Sequence, residues 1–260
     1  YLLICTILMV FLLPFVYTVS PYDLNPNAIL HAPSLQNLFG TDRLGRDIFS
    51  RVLVGGQTSL IIGFLSAAIA SCVGLFIGIN AGFFKGKVDK GITILIDLFL
   101  TFPTFFLLLA LVSYVQASSL VLIIVISITG WMGMARLIRS ESFAISNKPY
   151  IKILKLGNMN TSKIIFKYFA PLLAPIFLIS FTFGVGGAIL AESGLSFLGL
   201  GINPPQMSWG SLLSGGKAVI DIAWWVSFFP GLMIFIVTFC LMQISDFLQA
   251  QANQKEIQTP

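Results

Sequence analysis

The chain has little charge. Asp, Glu, Lys and Arg make up only 10% of its 260 residues, against roughly a quarter in a soluble domain. With 57% hydrophobic residues and a mean hydropathy of +0.94, that deficit excludes an ordinary water-soluble fold. It points to an integral membrane protein with several apolar runs rather than a single anchor. There is one histidine, His31, in a polar segment with no Cys or His beside it, so no histidine-based metal or catalytic constellation is legible. The three cysteines, Cys5, Cys72 and Cys240, all lie in apolar runs. They read as small buried hydrophobes, implying neither disulfides nor a metal site. A phosphate-binding loop is missing too. The near match at residues 211–217 has Ser211 where its first glycine is required and Ala218 after Lys217, so the chain itself is not expected to hydrolyse ATP. The net charge of +5 reports where Lys and Arg sit relative to a membrane, not an affinity for nucleic acid.

What the chain does have is apolar runs of spanning length. They fall at residues 2–19, 58–80, 92–115, 120–135, 171–191 and 225–246, and a span needs about 20 residues. The expectation is an all-α polytopic protein with six transmembrane helices. Residues 1–57 would hold the first span and an outer segment, 58–246 the main transmembrane domain, and 247–260 a short polar tail. The first run exceeds a signal-peptide core and no small-residue cleavage site follows it cleanly. Six spans put both termini on one side. That side would carry ten basic residues, in the loop around Lys85 and in the segment 136–170, with Lys255 in the tail besides. The other side would carry Arg43, Arg46, Arg51 and Lys217, so the first side is the cytoplasm.

Inside the spans, two patterns stand out. Ser66, Ala70, Gly74, Gly78 and Gly82 put a small residue at every fourth position of the second span, which allows another helix to approach backbone to backbone. Whether that helix belongs to this chain or to a partner is open. Asp97 and Glu192 are the ionisable residues that lie within or at the edge of a span, and Asp246 reads as an interfacial helix end. Desolvation makes such residues costly, so each needs a reason: an interhelix hydrogen bond or ion pair, or a place on a water-filled path. Pro103, shortly after Asp97, is expected to bend the third span.

The segment 136–170 is the one long polar stretch in the interior of the chain. It sets Arg136, Arg139, Lys148, Lys152, Lys155, Lys163 and Lys167 against a single acid, Glu141. Within it, Tyr150, Ile153, Leu154 and Gly157 recur at helical spacing, with Lys148, Lys152 and Lys155 on the other side. A short amphipathic helix is expected there. Gly157 and Asn158 would stop it, Thr161 or Ser162 would cap the next helix, and Pro171 would open the fifth span. The residues alone leave two readings open: a loop lying on anionic lipid, or a docking surface for a partner protein.

Four stretches then carry a resemblance. They are FGTDRLGRDIFSRVLVGGQTSL at 39–60, TGWMGMARLIRSE at 129–141, GGAILAESGLSFLGLGINPP at 186–205 and SWGSLL at 208–213. In this order they resemble the inner-membrane permease subunits of ATP-binding-cassette importers of the oligopeptide, dipeptide and nickel class, second permease type. The resemblance implies the type-1 permease fold and a bacterial inner-membrane location. It implies half of a heterodimeric pore, working with a second permease subunit, two cytoplasmic ATPases that bind the ATP, and an external substrate-binding protein. It also implies that the amphipathic segment is a coupling helix docked on the ATPase. The family pattern Tyr-x-Glu-Ala-Ala, then Gly, falls on Tyr150, Lys152, Ile153, Leu154 and Asn158, with Gly157 one place early. Here a base stands for the acid and a bulky pair for the small one. The runner-up is a secondary transporter, which would need ion-coordinating residues at mid-membrane. A purely structural membrane subunit is a third reading.

Overall fold

A computed structural model describes the backbone of residues 1–258 and side chains through Gln254; Lys255 of the predicted basic side lies outside that set. Among the described residues there are helices and turns but no strand. A short helix α1 (Leu2–Leu12) continues as a 3₁₀ turn to Phe15. A loop and two turns then lead into α2 (Ile48–Phe84), 37 residues and therefore about 55 Å long. Asp47 starts α2 by accepting the Ser50 N–H at 2.8 Å, the usual role of an acid at that position. The motif before it is a built turn. Asp42 accepts N–H groups from Leu44 and Arg46 at 2.8 and 3.1 Å and pairs with the Arg46 guanidinium.

The predicted third span is two helices, α3 (Gly86–Thr101) and α4 (Thr104–Ser113), meeting at 80°. Pro103 is the cause: Phe102 before it is held extended, with ψ of 135°. Helix α5 (Ser119–Asn147) runs well past the predicted end at 135. Arg136 and Arg139 are therefore helix residues, and the basic loop begins only at Lys148. Next come α6 (Pro149–Leu156), α7 (Thr161–Ile164) and α8 (Ala170–Phe197). Asn160 caps α7, not Thr161 or Ser162, through the Ser162 N–H at 2.9 Å. A π turn over Ile165–Phe169 joins α7 to α8 without a break. It lies just before Pro171, whose ring and missing N–H disturb the turn upstream. Helix α9 (Trp209–Gly216) and helix α10 (Trp225–Gln258) complete the chain. Asp246 lies well inside α10 rather than at a helix end, and the predicted tail continues that helix as far as Gln258. Among the described residues four helices are long and apolar enough to cross a membrane, or five if α3 and α4 together make one bent span. Leu2–Phe15 is shorter than a span, about 20 Å against a hydrocarbon core of about 30 Å.

Helix α2 lies along α5 on its small-residue stripe. A β-carbon added at Gly74, Gly78 or Gly82 would come within 2.5–2.7 Å of the β-carbons of Met134, Ile138 and Ser142. The neighbour that the stripe accommodates is in this chain. Helices α8 and α10 pack on each other and on α2, and α9 is wedged between them.

Candidate translocation cleft and cytoplasmic contact

Two open clefts, each of ≈ 1050 Å³, mark the molecule. One lies between the Asp42–Arg46 turn and the segment around Asn203–Gln206, at the end where α2 starts. The other runs between α2, α4, α5, α8 and α10. Its wall mixes small residues (Ala70, Gly130, Gly133, Gly184), hydroxyls (Ser66, Ser71, Thr129, Ser180) and apolar side chains. Among its described lining residues the charges are Glu141 and Asp246, both acidic. Ser66, Ser71 and Thr129 are buried, and Ser66 and Thr129 donate to backbone carbonyls of α5, so the wall is smooth and offers no strong polar site. That suits passage better than retention.

Asp97 and Glu192 line neither cleft. Each has a partner on another helix instead. Asp97 pairs with Arg136, so α3 is tied to α5, and Arg139 repeats the tie one turn on, donating to both carboxylate oxygens of Asp89, at 2.9 Å through Nη2. Glu192 has no solvent exposure. Ser196 donates to its Oε1 at 2.7 Å and Ser59 to its Oε2 at 3.3 Å, while Ser59 in turn accepts the Trp209 N–H at 3.0 Å. Trp209 is itself fully buried and donates its indole N–H to the Val52 carbonyl at 2.9 Å. One carboxyl thus gathers α2, α8 and the start of α9. The absence of a glycine side chain at Gly210 lets α9 sit on α8, where a β-carbon would meet Ser193 Cα at 2.6 Å. Sequence reasoning found Glu192 from its cost but not Ser59, Ser196 or Trp209, because serines inside apolar runs give no periodic signal.

The amphipathic segment is α6, and its faces differ from the expected ones. Ile151 is fully buried and Leu154 packs against the same apolar cluster, which includes Ile79, Ile138 and Phe169. Ile153 and Leu156 point outward, 67% and 83% exposed, and Tyr150 is exposed as well. Leu154 therefore faces the protein's own core, not the outside. Lys155, expected on the outer basic side, turns inward. Lys152 stays exposed. The helix stops at Gly157 and Asn158 as expected: Gly157 is its C-cap with a φ of −75°, and Asn158 takes the left-handed turn with φ of +52°. The local charge is basic, with Lys85 donating to Asn147 at 2.7 Å beside it.

Helices of spanning length, an open cleft of small and apolar residues between them and an exposed short helix at a basic loop define a multi-pass membrane transport component. The chain belongs to the binding-protein-dependent transport system inner membrane component family, which it matches over residues 74–256. It is 31% identical to the oligopeptide transport system permease protein OppC of Haemophilus influenzae, over 96% of this chain and 83% of that one. It is 35% identical to the dipeptide transport system permease protein DppC of Alkalihalophilus pseudofirmus, over 96% and 82% of the two chains. Inward-facing structures of the MetNI methionine ABC transporter share its fold, with a TM-score of 0.62 at 15% identity over 76% of this chain and 95% of that one. Its family consists of permease components rather than ATPases.

Proposed function

We propose that this chain is one of two permease subunits of an ATP-driven importer that moves di- or oligopeptides across a bacterial inner membrane. A metal–chelate or nickel cargo is the related alternative. The observation that carries the reading is the cleft between α2, α4, α5, α8 and α10. Its wall carries the carboxylates of Glu141 and Asp246, which would be costly against lipid, and a second permease subunit covering it would complete a pore. In this reading residues 1–57 provide a first span, with Leu2–Phe15 at its centre, and an outer segment. Residues 58–246 form the permease domain and 247–260 lie in the cytoplasm, with six spans and both termini inside. The cleft beside Arg43 and Asn203 faces the external binding protein. The exposed face of α6, with Tyr150, Lys152 and Ile153, docks in one of two ATPase subunits, which bind the ATP. Leu154, Gly157 and Asn158 shape that helix from behind and end it. Closure of the ATPases moves α6 and switches the cleft between inward and outward openings.

A secondary transporter would place ion-coordinating carboxylates at mid-membrane. Glu192 and Asp97 are engaged with neighbouring helices instead, which favours the ATP-driven reading. The deciding experiment reconstitutes the permease pair with its ATPases in proteoliposomes and adds binding protein with and without a labelled peptide. Peptide-loaded binding protein should stimulate ATP hydrolysis and uptake together. Uptake driven by an ion gradient without ATP would overturn the assignment.

A further inference from the structure

We propose that Lys155 is the strut that transmits movement of α6 to α2 and α5, and so to the cleft. This rests on the reading of α6 as the ATPase contact. The Lys155 ammonium donates to the Phe83 carbonyl at 2.9 Å and to Ser146 Oγ at 3.0 Å. It also lies over the Phe83 ring, 3.7 Å from the centroid. Phe83 is in the last turn of α2, where carbonyls have no partner within the helix and attract a cation. Ser146 is in the last turn of α5. One side chain therefore fastens α6 to the ends of both helices that form the tightest pair in the molecule.

Three observations make this tie mechanical rather than incidental. First, it joins the helices through directional bonds. Beyond the chain link to α5 through Lys148, the packing of α6 through Ile151 and Leu154 is apolar, and apolar contact has no directional preference of its own. Among the described residues no other side-chain hydrogen bond crosses from α6 to α2 or α5. Second, the end it grips has no slack. The Gly74, Gly78 and Gly82 stripe holds α2 against α5 at backbone distance, so a pull on Phe83 and Ser146 moves the two together. Third, both helices reach the cleft wall, α2 through Ser66, Ala70 and Ser71 and α5 through Thr129, Gly130 and Gly133. The ammonium is held at some electrostatic cost. Burial, and then the Lys85 charge nearby, pulls its pKa below the ordinary lysine value, so the cation is kept here for its geometry.

Lys155 is thus a positioning residue on the inner side of α6, opposite the exposed face. The test uses the whole complex in proteoliposomes, with Lys155→Met, Lys155→Arg and Ile153→Asp made in parallel. A labelled pentapeptide is the cargo, and insertion level, ATPase retention, ATP hydrolysis and uptake are measured. Lys155→Met should keep its ATPases and continue to hydrolyse ATP, while the ATP used per peptide moved rises about tenfold. Lys155→Arg, which keeps the cation, should recover most of the coupling, and a side chain that merely filled space would not show that rescue. Ser146→Ala, which removes one acceptor and little volume, should give a smaller rise of the same kind and serves if Lys155→Met fails to insert. An unchanged ratio of ATP to peptide in Lys155→Met or, where that variant fails to insert, in Ser146→Ala would overturn the proposal. So would loss of the ATPases from Lys155→Met, which would make Lys155 a docking residue. If Ile153→Asp keeps both ATPases and uptake, the docking role of α6 fails, and the strut with it, a result distinct from failure at Lys155.

Discussion

Gly78 and Ile138 meet so closely that a β-carbon on the glycine would lie 2.7 Å from that of the isoleucine, and 2.8 Å from the Ala135 carbonyl. Backbone cannot move aside as a side-chain end can. Even Gly78→Ala should therefore push α2 away from α5, at a cost of about 1–3 kcal/mol for an overpacked contact. Gly78→Leu should prevent assembly. Gly91→Ala, where nothing lies within 4 Å of the added carbon, is the matched control and should be neutral. Thermal unfolding in detergent and yield of assembled complex measure both. A parental melting temperature in Gly78→Leu would mean the two helices do not meet as described.

The ease of reading differed along the chain for physical reasons. The apolar runs and the four-residue stripe were legible because a membrane and a close helix contact each impose a regular period. The ends of α5 and α10 were not. Polar residues such as Arg136 and Arg139 ended the hydropathy run, although the helix continues and pairs them with Asp97 and Asp89. The faces of α6 were read by pattern, which placed Leu154 outside and Lys155 with the exposed lysines. Tertiary packing reversed both, because an eight-residue helix with Ile151, Ile153, Leu154 and Leu156 has apolar residues all round and its neighbours decide which of them is buried.

Glu192 offers a second test, since its value lies in the groups it satisfies. Glu192→Gln keeps acceptor and donor capacity for Ser59 and Ser196 and should retain most function. Glu192→Leu strands both hydroxyls and loosens Trp209, which depends on Ser59. It should cost about 1–3 kcal/mol for each buried group left unpaired, read as a lower melting temperature. Equal stability of the Gln and Leu variants would show that the cluster contributes nothing.

Asp47 should give the fold a pH dependence. Burial raises its pKa above the usual 3.8, only partly offset by the N–H of Ser50 and then the Tyr17 hydroxyl, and its second oxygen is buried without a partner. The folded state therefore holds the proton more tightly than the unfolded one. The stabilisation is present below the ordinary pKa and is lost as pH rises through the folded one. Asp47→Asn keeps the cap and removes the charge. As pH rises above the ordinary aspartate range, the parent should lose melting temperature relative to Asp47→Asn. Parallel curves for the two would contradict the assigned shift.

Topology follows from charge placement. In a background without Cys5, Cys72 and Cys240, Asn147→Cys should react with an impermeant thiol reagent only from the cytoplasmic side, and Gln36→Cys only from outside. Both positions are exposed. The reverse labelling pattern would sink the six-span orientation.

The last prediction separates docking from folding at α6. Leu154 and Ile153 are adjacent but face opposite ways, the first into the apolar cluster and the second outward at 67% exposure. Leu154 is half-buried against the cluster of Ile138 and Ile151, so a carboxylate there would be partly desolvated and would disturb that packing. Leu154→Asp should therefore damage the permease itself, lowering its melting temperature or its insertion, whether or not an ATPase docks there. Ile153→Asp leaves that cluster intact, so the permease should insert and melt normally. If a shaped ATPase groove receives Ile153, the new carboxylate is desolvated only in the complex, and the ATPases should be lost on purification together with peptide-stimulated hydrolysis. A lipid surface would respond differently. It would lose some affinity for the helix, but the ATPases, held elsewhere, would stay. Lys152→Gln should be mild in either case, since an exposed charge contributes about 0–1 kcal/mol. Co-purification of the ATPases with Ile153→Asp at parental level, with normal uptake, would refute α6 as the coupling contact and leave lipid as the partner of its exposed face.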